Sequence, residues 1–317
     1  MIMNNILETI KKSSRIAISY HYSPDGDSLG SALALKQGLS QLDKVIEIIS
    51  SDDIPKMYSF LPGSDSILKH FEDDKWDLVI ALDCGDLKRL SVPIKKNAGY
   101  SIINIDHHRT NELYGDLNFV DTNAAAVGEI VYQIIRLLGI NITKEIATCL
   151  YTSIITDSGS FRFSNTTSVT HSIAGDLINT GIDFSNIHRL IYDNKPFERL
   201  KLYSMVLNTA QLHYNGRVCV MKLTKNMPLE CNCDISDTSD LVNFGLSVDT
   251  VEVTALLKEM EDGVKVSLRS KTVVDVRRVA ENYNGGGHIR AAGFSCEDRL
   301  EAVEQKLLHD LSREFSL

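Results

Sequence analysis

Long apolar runs are missing from this sequence: its most hydrophobic stretches, such as Ile80 to Leu82 and Ile102 to Ile105, fall far short of the about 18 residues that a membrane helix requires. Nor does the N-terminal segment carry the apolar core and small-residue cleavage site of a signal peptide. It reads as an amphipathic first helix, and a cytoplasmic protein with no membrane contact is expected. Cysteine is scarce and scattered, six in all, and the one close pair, Cys231 and Cys233, has no second pair at zinc-site spacing. A disulfide framework and a structural zinc site are excluded on that count. Basic residues are outnumbered, 33 Lys and Arg against 42 Asp and Glu, for a net charge of −9. Proteins that grip long nucleic acid carry a basic stripe that displaces counterions, so a track for long strands is excluded. A short anionic ligand is not, provided that metal ions or a few arginines supply positive charge locally. Repeats and low-complexity tracts are absent, and a hydrophobic content of 43% over 317 residues leaves ordinary globular material, enough for two domains with their own cores.

What is present in the first half is alternation. Arg15 to Tyr20, Val45 to Ile49, Asp77 to Leu82 and Tyr100 to Ile105 are short β-rich runs. Ser28 to Leu42, Ala125 to Leu138 and Thr143 to Ile155 have the apolar spacing of helices. Such alternation predicts an α/β domain, a doubly wound and mostly parallel sheet covered by helices, over residues 1–185. A helical linker is expected over 186–208, with Pro196 at the first turn of a helix running toward Ala210. Residues 209–317 read as a smaller α+β domain around a mostly antiparallel sheet. Hairpin signals at Asn215-Gly216 and at Glu261-Asp262-Gly263 join Gln211 to Tyr214 with Val218 to Leu223, and Val251 to Lys258 with Val264 to Ser270. Helices are expected near Ile235 to Phe244, Asp275 to Tyr283 and Asp298 to Phe315.

The chemistry lies in where the acidic residues and histidines fall relative to the strands. The first strand runs directly into His21-Tyr-Ser-Pro-Asp25-Gly-Asp27-Ser-Leu-Gly30; the third ends at Asp83 and the fourth at Asp106-His107-His108. The helix from Thr143 ends near Asp157. In an open α/β sheet, side chains at the carboxyl ends of neighbouring strands converge on one crevice, so four segments aim at one place. Taken singly, each Asp would be a turn former or a helix cap. Gathered together, their carboxylates repel strongly unless a cation neutralises them. Oxygen-rich ligands with a few imidazoles suit Mn²⁺, with Mg²⁺ or Co²⁺ able to substitute. There are too many ligands for one ion that must also hold substrate, and two divalent cations fit the count.

A second cluster lies near the C-terminus, Asn284-Gly285-Gly286-Gly287-His288-Ile-Arg290. Consecutive glycines let the backbone approach a ligand and present its amides to an anion. Arg269-Ser270, closing a strand of the same domain, adds a forked donor for phosphate.

With these residues in view, the sequence resembles the DHH phosphoesterase superfamily, named for its Asp-His-His, here Asp106-His107-His108. Within it the chain looks most like the bacterial oligoribonuclease and phosphoadenosine-phosphate phosphatase group, the nanoRNase type. The resemblance covers nearly the whole chain. It rests on His21-x3-Asp25-Gly-Asp27-Ser-x-Gly-Ser31, Asp83, the Asp-His-His, Thr156-Asp157-Ser-Gly159, Arg269-Ser270 and Gly-Gly-Gly-His288-x2-Ala-Ala-Gly293. Asn284 departs from it, standing where many relatives have a fourth glycine. The resemblance implies metal ligands at His21, Asp25, Asp27, Asp83, His107 and Asp157, with Asp83 bridging. It implies His108 at the substrate phosphate and Asp106 orienting the ligand shell. It also implies that Arg269, Ser270, Gly286, Gly287 and His288 hold the nucleotide across a cleft between the domains. Phe161, Arg162 and Phe163 are candidates for lining that cleft, a core role for either phenylalanine being equally open. The implied activity is hydrolysis of very short oligoribonucleotides to 5′-mononucleotides and of 3′-phosphoadenosine 5′-phosphate to AMP. The alternative is a stand-alone phosphodiesterase for cyclic dinucleotides such as c-di-AMP or their linear products such as pApA. A homodimer is expected from the family.

Overall fold

The computed structural model describes residues 2–96, 98–233 and 240–315, and the chain divides into two compact units, Met1–Asn194 and Lys195–Leu317. The first unit runs α1 (Ile2–Lys12), β1 (Arg15–Tyr20), α2 (Gly26–Leu39), β2 (Val45–Ile48), β3 (Leu78–Leu82), β4 (Ser101–Asp106), β5 (Leu117–Val120), α3 (Val127–Leu137), α4 (Lys144–Asp157), α5 (Ser168–Asn179) and α6 (Phe184–His188). Its five strands are ordered β2-β1-β3-β4-β5 and all pair in parallel. That is the doubly wound order, with a switch point between β1 and β3 where the sheet begins to grow in the other direction. The central strands RIAISY, LVIAL and SIINID are buried almost end to end, as a parallel sheet covered on both faces requires.

Helix α2 (GDSLGSALALKQGL) is buried nearly all round, lying between the sheet and helices α3 and α4. Its small residues permit that. A Cβ on Gly30 would stand 2.5 Å from the carbonyl oxygen of Cys149, so α2 and α4 approach to a distance that only glycine tolerates at the crossing.

The second unit runs α7 (Phe197–Leu207), β6 (Gln211–His213), β7 (Val218–Leu223), α8 (Asn226–Cys231), α9 (Leu241–Gly245), β8 (Val253–Met260), β9 (Gly263–Ser270), α10 (Val276–Glu281), β10 (Gly286–His288), β11 (Ala291–Cys296) and α11 (Leu300–Glu314). Its six-stranded sheet has the order β10-β11-β9-β8-β7-β6, antiparallel throughout except for the parallel pair β7 and β8. A parallel pair cannot be joined by a tight turn, and here the crossover carries α8 and α9. Val253, Ala255 and Leu257 of β8 and Val264, Val266 and Leu268 of β9 build this unit's own core. The expected helix at Ile235 to Phe244 falls partly on 234–239, which lie outside the described residues; its end is helical as α9. The division between units falls inside the stretch 186–208 read as a linker. There α6 continues into a π-helical turn, Arg189–Asp193, and Pro196 caps α7. Among the described residues no helix is long and apolar enough to cross a membrane.

Candidate metal centre

Four segments deliver the titratable side chains, and each is shaped locally to do so. β1 runs out at His21, and Asp25 then caps α2: its carboxylate accepts the Ser28 amide at 3.0 Å while the Ser28 hydroxyl accepts the Asp25 amide at 3.0 Å. This reciprocal box places Asp27 in the first helical turn. β3 ends at Asp83, whose φ is +53°, a left-handed conformation that a non-glycine residue adopts at a cost of about 1–3 kcal/mol and that recurs at functional sites. β4 ends with Asp106 and passes into His107 and His108. Asp157 is the last residue of α4.

Together these residues form two triads joined by one carboxylate. His21, Asp25 and Asp83 can hold one ion; Asp27, His107 and Asp157 can hold another. His21 Nε2 lies 3.4 Å from Asp83 Oδ2 and 3.7 Å from Asp25 Oδ2. His107 Nε2 lies 3.5 Å from Asp157 Oδ2, 3.8 Å from Asp27 Oδ2 and 3.7 Å from Asp83 Oδ1. Asp83 thus turns one oxygen to each triad. Its side chain is only 3% exposed, and among the described residues Oδ1 has no hydrogen-bond donor. A buried, unpartnered carboxylate oxygen is costly unless a cation takes it up. On that observation the residues present fit a pair of divalent ions. Asp25, whose side chain is 55% exposed, marks the open side.

The ligand atoms are aimed from behind. His21 Nδ1 donates to the Tyr22 carbonyl at 2.8 Å and His107 Nδ1 to the Ala124 carbonyl at 3.1 Å, so each imidazole presents Nε2 inward. Asp27 accepts the Val127 amide at 2.8 Å and the Gly128 amide at 3.2 Å from the start of α3. It also accepts the hydroxyls of Ser153 at 2.6 Å and Ser31 at 3.0 Å. His108 differs from His107. Its Nδ1 pairs with Asp106 Oδ1 at 2.7 Å and lies 3.5 Å from Asp83 Oδ1, and with Asp83 and His107 it forms a third group able to hold a metal ion.

The electrostatics agree with a cation site. Burial, and then the charge of Asp27, push the Asp83 carboxyl up to about 7, and burial likewise raises Asp27 and Asp157. Burial opposes a charge on His21 and His107, but the surrounding carboxylates outweigh it and raise them to about 11 and about 9. Protons hold together a cluster that metal would otherwise neutralise.

Sequence reasoning missed the residues that hold Asp106, the partner of His108, in place. Asn104, fully buried in β4, donates to the Cys84 carbonyl and to Tyr114 Oη, both at 3.1 Å, and accepts Asn111 Nδ2 at 2.8 Å. Asn111 Nδ2 also donates to Asp106 Oδ2 at 2.5 Å. A polar Asn inside a buried strand breaks the local pattern, and that was the available signal.

The residues expected to hold substrate from the second unit lie on adjacent strands. Arg269 on β9 faces Ala291 of β11, which in turn faces His288 of β10. Ser270 is buried and its hydroxyl donates to the Val274 carbonyl at 2.7 Å. Gly286, Gly287 and His288 are exposed. Gly287 has φ +136°, and a Cβ there would stand 2.5 Å from the Ala291 carbonyl oxygen, so this bend requires glycine.

Comparison with known proteins followed the same division. The model of the DHH family, N-terminal domain, matches residues 15–154, and that of the DHHA1 domain matches residues 215–316. The chain is 34% identical, over 96% of its length and 94% of the relative's, to the bifunctional oligoribonuclease and PAP phosphatase NrnA of Thermus thermophilus. It is 29% identical to the protein of the same name from Bacillus subtilis, over 96% of each. Among solved structures, an exopolyphosphatase-related protein from Bacteroides fragilis superposes with a TM-score of 0.91 at 28% identity, covering 99% of this chain and 96% of that one.

Proposed function

The chain belongs to the DHH phosphoesterases, metal-dependent enzymes here with an N-terminal DHH domain and a DHHA1 domain, and from that membership we propose its substrates. They are very short oligoribonucleotides, cleaved to 5′-mononucleotides, and 3′-phosphoadenosine 5′-phosphate, converted to AMP, in the cytoplasm. The observation that carries the reading is the buried Asp83 with one oxygen turned to each triad. The names of the full-length relatives supply the substrate class, and a net charge of −9 supports a short ligand over a long strand.

Bound at the two triads, Mn²⁺, or Mg²⁺ or Co²⁺ in its place, would supply an activated water and neutralise charge growing on the phosphoryl oxygens. His21, Asp25 and Asp83 would hold one ion and Asp27, His107, Asp157 and Asp83 the other. The chain's own part is positioning. His108, fixed through Nδ1 by Asp106, offers Nε2–H to a phosphoryl oxygen, where a donor aimed at developing charge is most effective. Asp106, fully buried yet held below the usual carboxylate range because His108, Asn111 and the His107 amide outweigh burial, keeps that imidazole oriented. Arg269, with the backbone amides of Gly286 and Gly287 and the side chain of His288, would bind nucleotide, while Ser270, buried and bonded to the Val274 carbonyl, would brace the strand end that carries Arg269.

The test is product release from di- to pentaribonucleotides, a long RNA, 3′-phosphoadenosine 5′-phosphate, c-di-AMP and pApA, with Mn²⁺, with EDTA and with Asp83→Ala. Metal-dependent cleavage of the shortest RNAs that requires Asp83 is the expected result. Turnover confined to c-di-AMP and pApA would replace this substrate assignment with the cyclic-dinucleotide one.

A further inference from the structure

Two residues past Asp157 the backbone enters three consecutive left-handed residues, Gly159 at φ +55°, Ser160 at +60° and Phe161 at +64°. Glycine does this freely, whereas Ser160 and Phe161 each cost about 1–2 kcal/mol there. Ser158 holds the turn. Its carbonyl accepts the amides of Arg162 and Phe163, both at 3.0 Å, and its hydroxyl accepts the Phe161 amide at 3.0 Å. The Ser160 amide reaches back to the Ile155 carbonyl at 2.7 Å. Phe161 packs against the core of the unit and stacks on His171, ring centroids 4.9 Å apart. Phe163 lies over Gly159, where a Cβ would come within 2.4 Å of its ring, and still remains 55% exposed.

The consequence is that Arg162 is presented at the surface five residues beyond a metal ligand. Its Nε donates to the Gly159 carbonyl at 2.8 Å, which fixes the root of the guanidinium and leaves the outer edge free. Among the described residues no carboxylate forms an ion pair with it. Gly159 stands two residues past Asp157, the end of α4, so the bond to its carbonyl keeps the root of the guanidinium near the chain segment that delivers that carboxylate.

We propose that Arg162 is a specificity-determining residue whose outer fork takes a second, non-scissile phosphate of the substrate, with the ring of Phe163 beside it for a base or ribose. This rests on the phosphoesterase reading of the metal centre. A guanidinium edge matches two phosphate oxygens, and an exposed aromatic face stacks on any base. The favoured substrates are therefore small nucleotides with a 5′-phosphate in addition to the scissile one.

Steady-state kinetics of the full chain in Mn²⁺ on pApA and on ApA, which lacks the 5′-phosphate, tests this for the parent, Arg162→Ala and Arg162→Lys. The parent should prefer pApA. Arg162→Ala should raise KM for pApA by roughly tenfold or more, the loss expected for one charge-assisted pair, with kcat little changed and ApA unaffected. Arg162→Lys, retaining charge without the fork, should recover part of the loss. A preference that survives Arg162→Ala, or an equal loss on both substrates, overturns the assignment. If the parent cleaves neither, the phosphoesterase reading fails instead. Calorimetric binding of pApA to parent and Arg162→Ala then decides Arg162 by itself, equal affinities overturning its role.

Discussion

Replacing Asp83 by Asn should make the metal-free protein more stable while abolishing its response to metal. Asp83 is buried among carboxylates, and its pKa stands at about 7 against an ordinary 3.8. A gap of about three units corresponds to about 4 kcal/mol of penalty on the ionised form. Below about pH 4 the carboxyl is protonated in folded and unfolded chains alike and costs nothing. Between about pH 4 and 7 the unfolded chain loses its proton while the folded one retains it, so stability falls as pH rises and the cost is complete above about pH 7. Asn keeps the shape, removes the charge and is among the residues best suited to the left-handed φ of +53° at this position. In a domain of this size about 4 kcal/mol is on the order of 10 °C in Tm. Thermal unfolding with EDTA at about pH 5 and about pH 8 should show the variant's advantage opening with pH. Excess Mn²⁺, worth about 2.7 kcal/mol at a hundred times Kd, should raise the Tm of the parent and not of the variant. A metal-free variant no more stable than its parent at the higher pH, or an equal gain at both, would refute the reasoning.

Four further outcomes are expected. Metal affinity, measured by titration calorimetry, should tighten with pH by about tenfold per unit for each proton displaced, because Asp83 at about 7 and His107 at about 9 must shed protons to bind; an affinity independent of pH would count against these ligands. Gly128→Ala puts a Cβ 2.1 Å from Ser153 Oγ, which donates to Asp27; it should cost about 1–3 kcal/mol and weaken Mn²⁺ binding. Gly175→Ala in α5, with open space around it, should instead stabilise by about 0.5–1 kcal/mol, so equal Tm shifts of the two variants would contradict the packing described. Asn111→Ala removes the donor to Asp106 Oδ2 and should lower kcat by about 10–100-fold with Mn²⁺ affinity nearly unchanged; a loss of metal binding instead would show that it braces the ions.

Much of the scaffold was legible. β1, β3 and β4 are β-branched runs buried on both faces, and such runs keep their signal without alternation. β5, Leu117–Val120, was missed: four residues at the sheet edge, all half-buried, carry no pattern that distinguishes a strand from a loop. Helix α2 begins two residues earlier than its apolar spacing predicts because Asp25 serves as both cap and site residue. The clustering of His21, Asp25, Asp27, Asp83, His107 and Asp157 could be read because each stands at or next to the end of an element whose direction was readable. The groups behind them could not. Ser153, 126 positions from the Asp27 it holds, looks like any small residue in a packed helix, and the amides of Val127 and Gly128 carry no side-chain signature at all.

The single carboxylate between the triads has a thermodynamic corollary. Two ions sharing Asp83 could not occupy their places independently, since whatever one did to that charge the other would feel. Reciprocity makes the effect equal in both directions. Occupancy would then be one collective variable of the protein, and the ionic composition of its surroundings would set the fraction of molecules able to work as well as the speed at which each does so.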